Sequence, residues 1–185
     1  MTHIRLPAGL LGPRYDETMV IRIARYACDN LSDSIEPYLG GLNKWLPVID
    51  GLALKTRVLA DQTFRDEGFC SLLVACALLS RISMPQISDS EVEGNNELYM
   101  ALIMSHAAMS SRGFVSLDTL QSRILLALYE HLQANYTAAI GTLSSAVGIT
   151  KVMGILRWHC LADQRMISLA DEKQKTLCCL YILER

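Results

Sequence analysis

The stretch that most constrains this chain runs from Ser116 to Gly154, two successive helical patterns of which the first is apolar on nearly every side. Leu117, Leu120, Ile124, Leu128 and His131 recur at helical spacing on one face of the first, and Leu125, Leu126, Tyr129 and Leu132 cover most of another. A helix with so little polar surface has to be buried, which places it at the centre of a domain. Ser116 is suited to cap its N-terminus, and Asp118 follows in the first turn, where the helix dipole favours an anion. Gln133-Ala134-Asn135 is short and polar, as a connection between antiparallel neighbours should be. The second helix offers Tyr136, Ile140, Leu143, Val147 and Thr150 as its apolar stripe. Gly141, Ser144, Ser145 and Gly148 give it a small-residue side open to close approach by another helix. Gly154 suits a left-handed helix terminus. The expectation is an all-α, multi-helix bundle-like domain built around this central antiparallel pair.

Residues 1–15 read as a flexible N-terminal tail, with Pro7, Gly9, Gly12 and Pro13 breaking any regular element, and residues 16–185 as one partial helical domain. Asp16 can cap a helix to about Asn30 that buries Met19, Val20, Ile23, Ala24, Ala27 and Leu31 and turns Arg22, Arg25 and Asp29 to water. Ile35, Tyr38 and Leu39 form a short apolar face. Pro37 is tolerated there if the helix opens near Ser34, because first-turn nitrogens have no intrahelical acceptor. Trp45, Leu46, Pro47, Val48 and Ile49 form an apolar strap before an Asp50-Gly51 turn, and Leu52 to Phe64 is weakly helical. Phe69, Leu72, Leu73, Cys76, Leu79 and Ile82 mark a second buried helix. From Met84-Pro85 to Asn96 the chain reads as an acidic surface loop, with Asn95 or Asn96 capping a helix that carries Tyr99, Leu102, Ile103, His106 and Met109 and closes at Gly113. Beyond Ile155 the pattern is irregular. Ser168 with Asp171 has the spacing of a capping-box start, and the last helix buries Leu177, Leu180, Tyr181, Ile182 and Leu183. An apolar helix that runs to residue 185 implies a domain truncated at its C-terminus.

An apolar fraction of 51% against 19% charged residues is enough for a core. A net charge of −2 leaves no electrostatic footprint for nucleic acid. No apolar run reaches the ~18 residues that a membrane span needs. The six cysteines, Cys28, Cys70, Cys76, Cys160, Cys178 and Cys179, lack the close pairing of a zinc site and read as reduced core thiols. His106 reads as a core histidine hydrogen-bonded to backbone. Trp158-His159-Cys160 offers two adjacent ligands but no partner pair, and Asp89, Glu91 and Glu93 read as a solvated loop. No phosphate-cradling glycine loop and no glycine-flanked nucleophilic serine is present, so no reaction chemistry is assigned.

Three segments carry a resemblance. Leu120-Gln121, Ile124 to Glu130, Ala138-Ala139 and the run to Met153-Gly154-Ile155 resemble the middle homology region of fungal zinc-cluster transcription factors. Tyr38-Leu39 followed by Trp45-Leu46-Pro47 is similar to that region's first helix and strap, with Leu39 where phenylalanine is usual. Leu180 to Arg185 is similar to its apolar run ending in an acidic-basic pair, with Cys178-Cys179 in place of aromatic residues and Glu184 in place of aspartate. The resemblance covers about residues 31–185. Its signature positions here are Tyr38, Trp45, Pro47, Gln121, Leu125, Tyr129, Glu130, Ala139, Gly154, Tyr181, Glu184 and Arg185, read as structural. It implies a non-catalytic regulatory domain that controls transcription by RNA polymerase II and senses a small-molecule effector or a regulatory protein, as a monomer or a homodimer. DNA binding would come from a segment outside this chain, nuclear localisation would follow, and zinc would enter only with a cluster module upstream. No effector-binding residue is assigned. The alternative is a free-standing helical interaction scaffold, although the Ser116–Gly154 hairpin has no second copy at a fixed period.

Overall fold

A computed structural model of the chain describes residues 19–29, 35–60, 66–82, 89–154 and 167–184. Among these the regular structure is entirely helical: α1 (Met19–Asp29), α2 (Glu36–Gly40), α3 (Leu42–Trp45), α4 (Gly51–Ala60), α5 (Glu67–Ile82), α6 (Asp89–Ser111), α7 (Leu117–Leu132), α8 (Tyr136–Val152) and α9 (Ile167–Glu184). The bundle is all-α, as its sequence requires. The tail at 1–15, Met84-Pro85, Trp158-His159-Cys160 and Arg185 lie outside the described residues, as do the side chains of Cys28 and Asp29.

Two helices are buried all round. On α5 every residue from Gly68 to Ser80 is buried, and on α7 every residue from Thr119 to Glu130. They lie side by side and parallel. At their N-termini a Cβ on Gly68 would stand 2.8 Å from Ser116 Oγ, so the absence of a side chain sets how closely the helices approach. α6 runs antiparallel to both. Ser71 pairs with Ser105 at 3.0 Å, Arg81 donates to Asn95 Oδ1 at 3.1 Å, and Tyr99 donates to Glu130 Oε1 at 2.9 Å. α8 folds back on α7 as the closest-packed pair, α1 covers α5, and α9 closes against α7 and α8. α4 is fixed by Arg57, whose Nη1 grips both Asp118 oxygens (2.9 and 2.8 Å) while Nη2 reaches Asp66 at 3.1 Å. Its guanidinium also lies 3.9 Å over the Phe69 ring.

The helix ends explain the turns. Ser116 accepts from the Thr119 N–H at 3.1 Å, and Asp66 accepts from the Gly68 and Phe69 N–H groups at 2.9 and 3.2 Å. α6 closes in a Schellman motif: Phe114 N–H donates to Met109 C=O, Gly113 N–H donates to Ser110 C=O, and Gly113 has φ +66°. α7 closes in the same way, Asn135 to Glu130 and Ala134 to His131, but the left-handed residue is Ala134, at φ +58°. Gly154, also at φ +66°, follows α8 as expected.

The structure differs from the sequence pattern at several places, and packing explains each. The acidic segment is not a loop, because α6 begins at Asp89. Asn95 is not a cap but a buried mid-helix acceptor for Arg81. The strap buries Leu46, Val48 and Ile49 but leaves Trp45 and Pro47 exposed, since Trp45 ends α3 on its outer side. On α8 the buried residues are Ala139, Ala146, Ile149 and Thr150, while Tyr136 and Ile140 face outward. Small side chains let α8 lie close to α7, which shifts the contact face. Gly141 and Gly148 have open space around them, so of the small-residue side it is Ser145, bonded to Arg123 of α7, that meets a neighbour. His131 and Leu132 are exposed because α7 runs past its neighbours there, and His131 meets Tyr136 edge-on at 5.3 Å. On α9 the face against the bundle is Thr176, Cys179 and Leu180, which turns Tyr181 and Ile182 outward. Cys70, Cys76 and Cys179 are buried, Cys178 is exposed, and none of the four is in a disulfide.

Two stability outcomes follow. Leu128→Ala should cost about 2–5 kcal/mol, whereas Ile140→Ala should change stability by less than about 0.5 kcal/mol; urea denaturation of the pair checks the assignment of faces. Ala134→Gly should stabilise by about 0.5–1 kcal/mol, because relief of the left-handed strain exceeds the added freedom of the unfolded chain. A loss of stability at residue 134 would contradict that turn.

Candidate functional site

A helix buried on all sides must also bury its polar residues, and those of α7 need partners inside the bundle. Gln121 lies one turn in and is 1% exposed. Its Nε2 donates to Val48 C=O and to Glu172 Oε1, both at 3.0 Å, and Thr176 Oγ1 is 3.3 Å away. One amide thus ties the strap, α7 and α9 together. Glu130 ends the buried run; its Oε1 accepts from Tyr99, whose hydroxyl pKa is pushed up to about 12 by burial and then by that bond.

Arg123 is the cation on this helix, 7% exposed. Nη1 donates to Ser145 Oγ on α8 at 2.8 Å. Nη2 donates to Ser110 Oγ at 2.6 Å and to His106 C=O at 3.0 Å, both on α6. Nε has no partner, and among the described residues no carboxylate forms an ion pair with the group. Burial draws the Arg123 pKa below its usual value. Beside it, His106 Nε2 meets Ser122 Oγ at 2.9 Å, and Nδ1 has no partner. His106 is therefore a core histidine as expected, but its ring partner is a hydroxyl and not backbone. Burial, and then the charge of Arg123, push its pKa down to about 3. Ser122 and His106 stand at nucleophile–base distance, yet Ser122 exposes no surface and no carboxylate orients Nδ1, so the pair lacks what acyl transfer needs.

Above the guanidinium, a cleft of about 250 Å³ opens between the C-terminal ends of α6 and α8. Ser110 and Ser145, the two hydroxyls that hold Arg123, line it. Phe114, Val115, Ile149 and Val152 make its walls, and none of its lining residues carries a charge. Each serine oxygen accepts from Arg123, which leaves its own proton directed elsewhere. The floor therefore offers two hydroxyl donors backed by a positive charge.

The positions singled out in the sequence lie apart from this cleft. Tyr38 is fully buried; its hydroxyl donates to Asn43 Oδ1 at 3.0 Å and its N–H to Ser80 Oγ at 3.2 Å, and burial raises its pKa well above the usual phenol value. Leu125 and Ala139 are core, and Tyr129 stacks on Tyr99 with centroids 5.7 Å apart. Trp45, Pro47 and Tyr181 face outward, and Glu184 is the last residue of α9. Among the described residues no group of three or more histidine, cysteine, aspartate or glutamate side chains is placed to hold a metal, and no helix is long and apolar enough to cross a membrane. Sequence reasoning missed Arg123, Ser110 and Ser145. The available signal was an arginine set inside a helix whose flanking stripes are both apolar. Comparison with family models, with curated proteins and with solved structures returns no match.

The buried imidazole gives a pH dependence of defined sign. Below about pH 6.5 the unfolded chain binds a proton at His106 that the folded chain does not bind until about pH 3. Stability is therefore lost as pH falls through that window. In His106→Gln the stability difference between pH 7 and pH 5 should shrink by about 2 kcal/mol; an unchanged difference would place the acid sensitivity elsewhere.

Proposed function

We propose that the chain is a non-catalytic regulatory domain of a fungal-type transcription factor, which senses an effector and passes the signal to a DNA-binding segment outside residues 1–185. The observation that carries this reading is a cleft with recognition chemistry and no reaction chemistry: two serine hydroxyls, each held by the buried Arg123 behind them, and apolar walls. The cleft lies between α6 and α8, both of which Arg123 ties to α7, so an occupant would bear on the packing of α6 and α8 against α7. Such a contact can shift a two-state equilibrium only through its differential affinity for the two packings. Support also comes from the signature positions. Tyr38 and Gln121 are interior tie points between segments distant in the chain, which is a reason for those residue types at those places.

The scaffold reading has one favouring observation, the outward apolar side chains of α8 and α9: Tyr136, Ile140, Tyr181 and Ile182. The two readings differ in what the chain does when joined to a reader. Placed between a heterologous DNA-binding module and an acidic activation segment in yeast, residues 16–185 should make reporter output depend on the metabolites in the medium. Output that stays level across nutrient conditions, at constant fusion abundance, would overturn the regulatory reading.

A further inference from the structure

We propose that the cleft above Arg123 binds a small organic monoanion, a carboxylate with an apolar body, and that this ligand is the effector; the second half rests on the regulatory reading above, the first half does not. The argument begins with charge. Among the described residues no carboxylate pairs with Arg123, and its guanidinium is met by two hydroxyls and one carbonyl, all neutral. A cation removed from water needs a counter-charge or a dense set of hydrogen bonds, and here one guanidinium nitrogen, Nε, has no bond at all. The other buried groups around it supply no negative charge: His106 and Ser122 are both neutral neighbours on the bundle side. Arg123 itself does not line the cleft; its two serine partners do, so an anion seated there would feel the guanidinium through them.

The hydroxyls set the geometry of recognition. Ser110 and Ser145 approach Arg123 from different helices, α6 and α8, and both line the cleft. Because each oxygen accepts from the guanidinium, each can direct its own proton outward, and a carboxylate has two oxygens to receive two such protons. The walls set the body of the ligand. Phe114 and Val152 are 42% and 71% exposed, apolar surface that an apolar ligand would cover. Gly148, with no atom within 4 Å of a built Cβ, leaves the wall of α8 open. A space of about 250 Å³ exceeds the ~150 Å³ that accommodates benzene. It suits a benzoate or a medium-chain fatty acid and is small for a nucleotide.

The test uses the whole chain with benzoate and octanoate as probes, and benzamide and octanamide as neutral counterparts of the same shape. Titration calorimetry and amide chemical-shift mapping should show saturable binding of at least one acid, about tenfold or more tighter than its amide, with shifts centred on residues 110–115, 123 and 145–152. Ser110→Ala with Ser145→Ala should weaken the acid by about tenfold and leave the amide unchanged. Gly148→Leu, which fills open space without touching Arg123, should abolish binding while leaving the fold intact; Arg123→Met is informative only where its circular dichroism matches wild type. Equal affinity for acid and amide, no saturation up to about 10 mM, or binding that survives Gly148→Leu would each overturn the site. Acid binding without a reporter response would leave the site standing and remove the regulatory reading. A reporter response without acid binding would do the reverse.

Discussion

Two helices without a solvent face, α5 and α7, have to lie against each other and be covered by everything else. This single constraint orders the bundle. At the N-termini of this parallel pair Gly68 meets Ser116, and a side chain there would collide with the capping hydroxyl. Parallel packing also brings two helix N-termini side by side, each with an acidic residue, Asp66 and Asp118. Two carboxylates at one place repel, and burial raises the Asp118 pKa despite the neighbouring cation. Arg57 resolves this by bridging both. It reaches across from α4, so the ion pair that settles the N-termini also fastens a helix whose own apolar face, Leu54 and Val58, is small.

The second consequence of total burial is that every polar side chain on α7 becomes a tie point. Gln121 holds the strap and α9, Arg123 holds α6 and α8, and Glu130 holds Tyr99 on α6. The bonds are spread along the helix and each faces a different neighbour. A helix of leucines alone would pack as well but would leave rotation and axial slip of its partners less defined. Specificity of packing through buried polar groups has precedent in helical bundles.

How much of this was legible in the sequence depends on which physics the pattern records. Periodicity records which helices are buried all round, so α5, α7, the cap at Ser116 and the terminators Gly113 and Gly154 could be read directly. It records poorly which side of a half-buried helix faces inward. On α8 the large residues Tyr136 and Ile140 suggested one face, whereas close approach to α7 selected the small ones, Ala139 and Ala146. The acidic run at 89–93 has the charge and polarity of a loop, yet no residue in it forbids a helix, and α6 begins there. The cleft could not be read from spacing at all. Ser110, Arg123 and Ser145 come from three helices and meet only because α6 and α8 flank α7.

That meeting also decides which side of Arg123 is open to chemistry. An arginine on a central helix is costly unless its charge is answered, and a leucine at the same place would avoid the cost altogether. Both terminal nitrogens of Arg123 are engaged by groups from separate helices, so its position is fixed from two sides, while among the described residues no carboxylate answers its charge. A purely structural tie has no need of the charge; serine–serine or serine–amide bonds of the kind seen at Ser71–Ser105 join α5 to α6 without one. What the charge adds is an attraction for an anion at the cleft that its two serine partners line. An anion seated there would strengthen both serine bridges at once, and so would favour the arrangement in which α6 and α8 stand at their present distance from α7. This is the physical route by which occupancy of the cleft could reach the rest of the bundle.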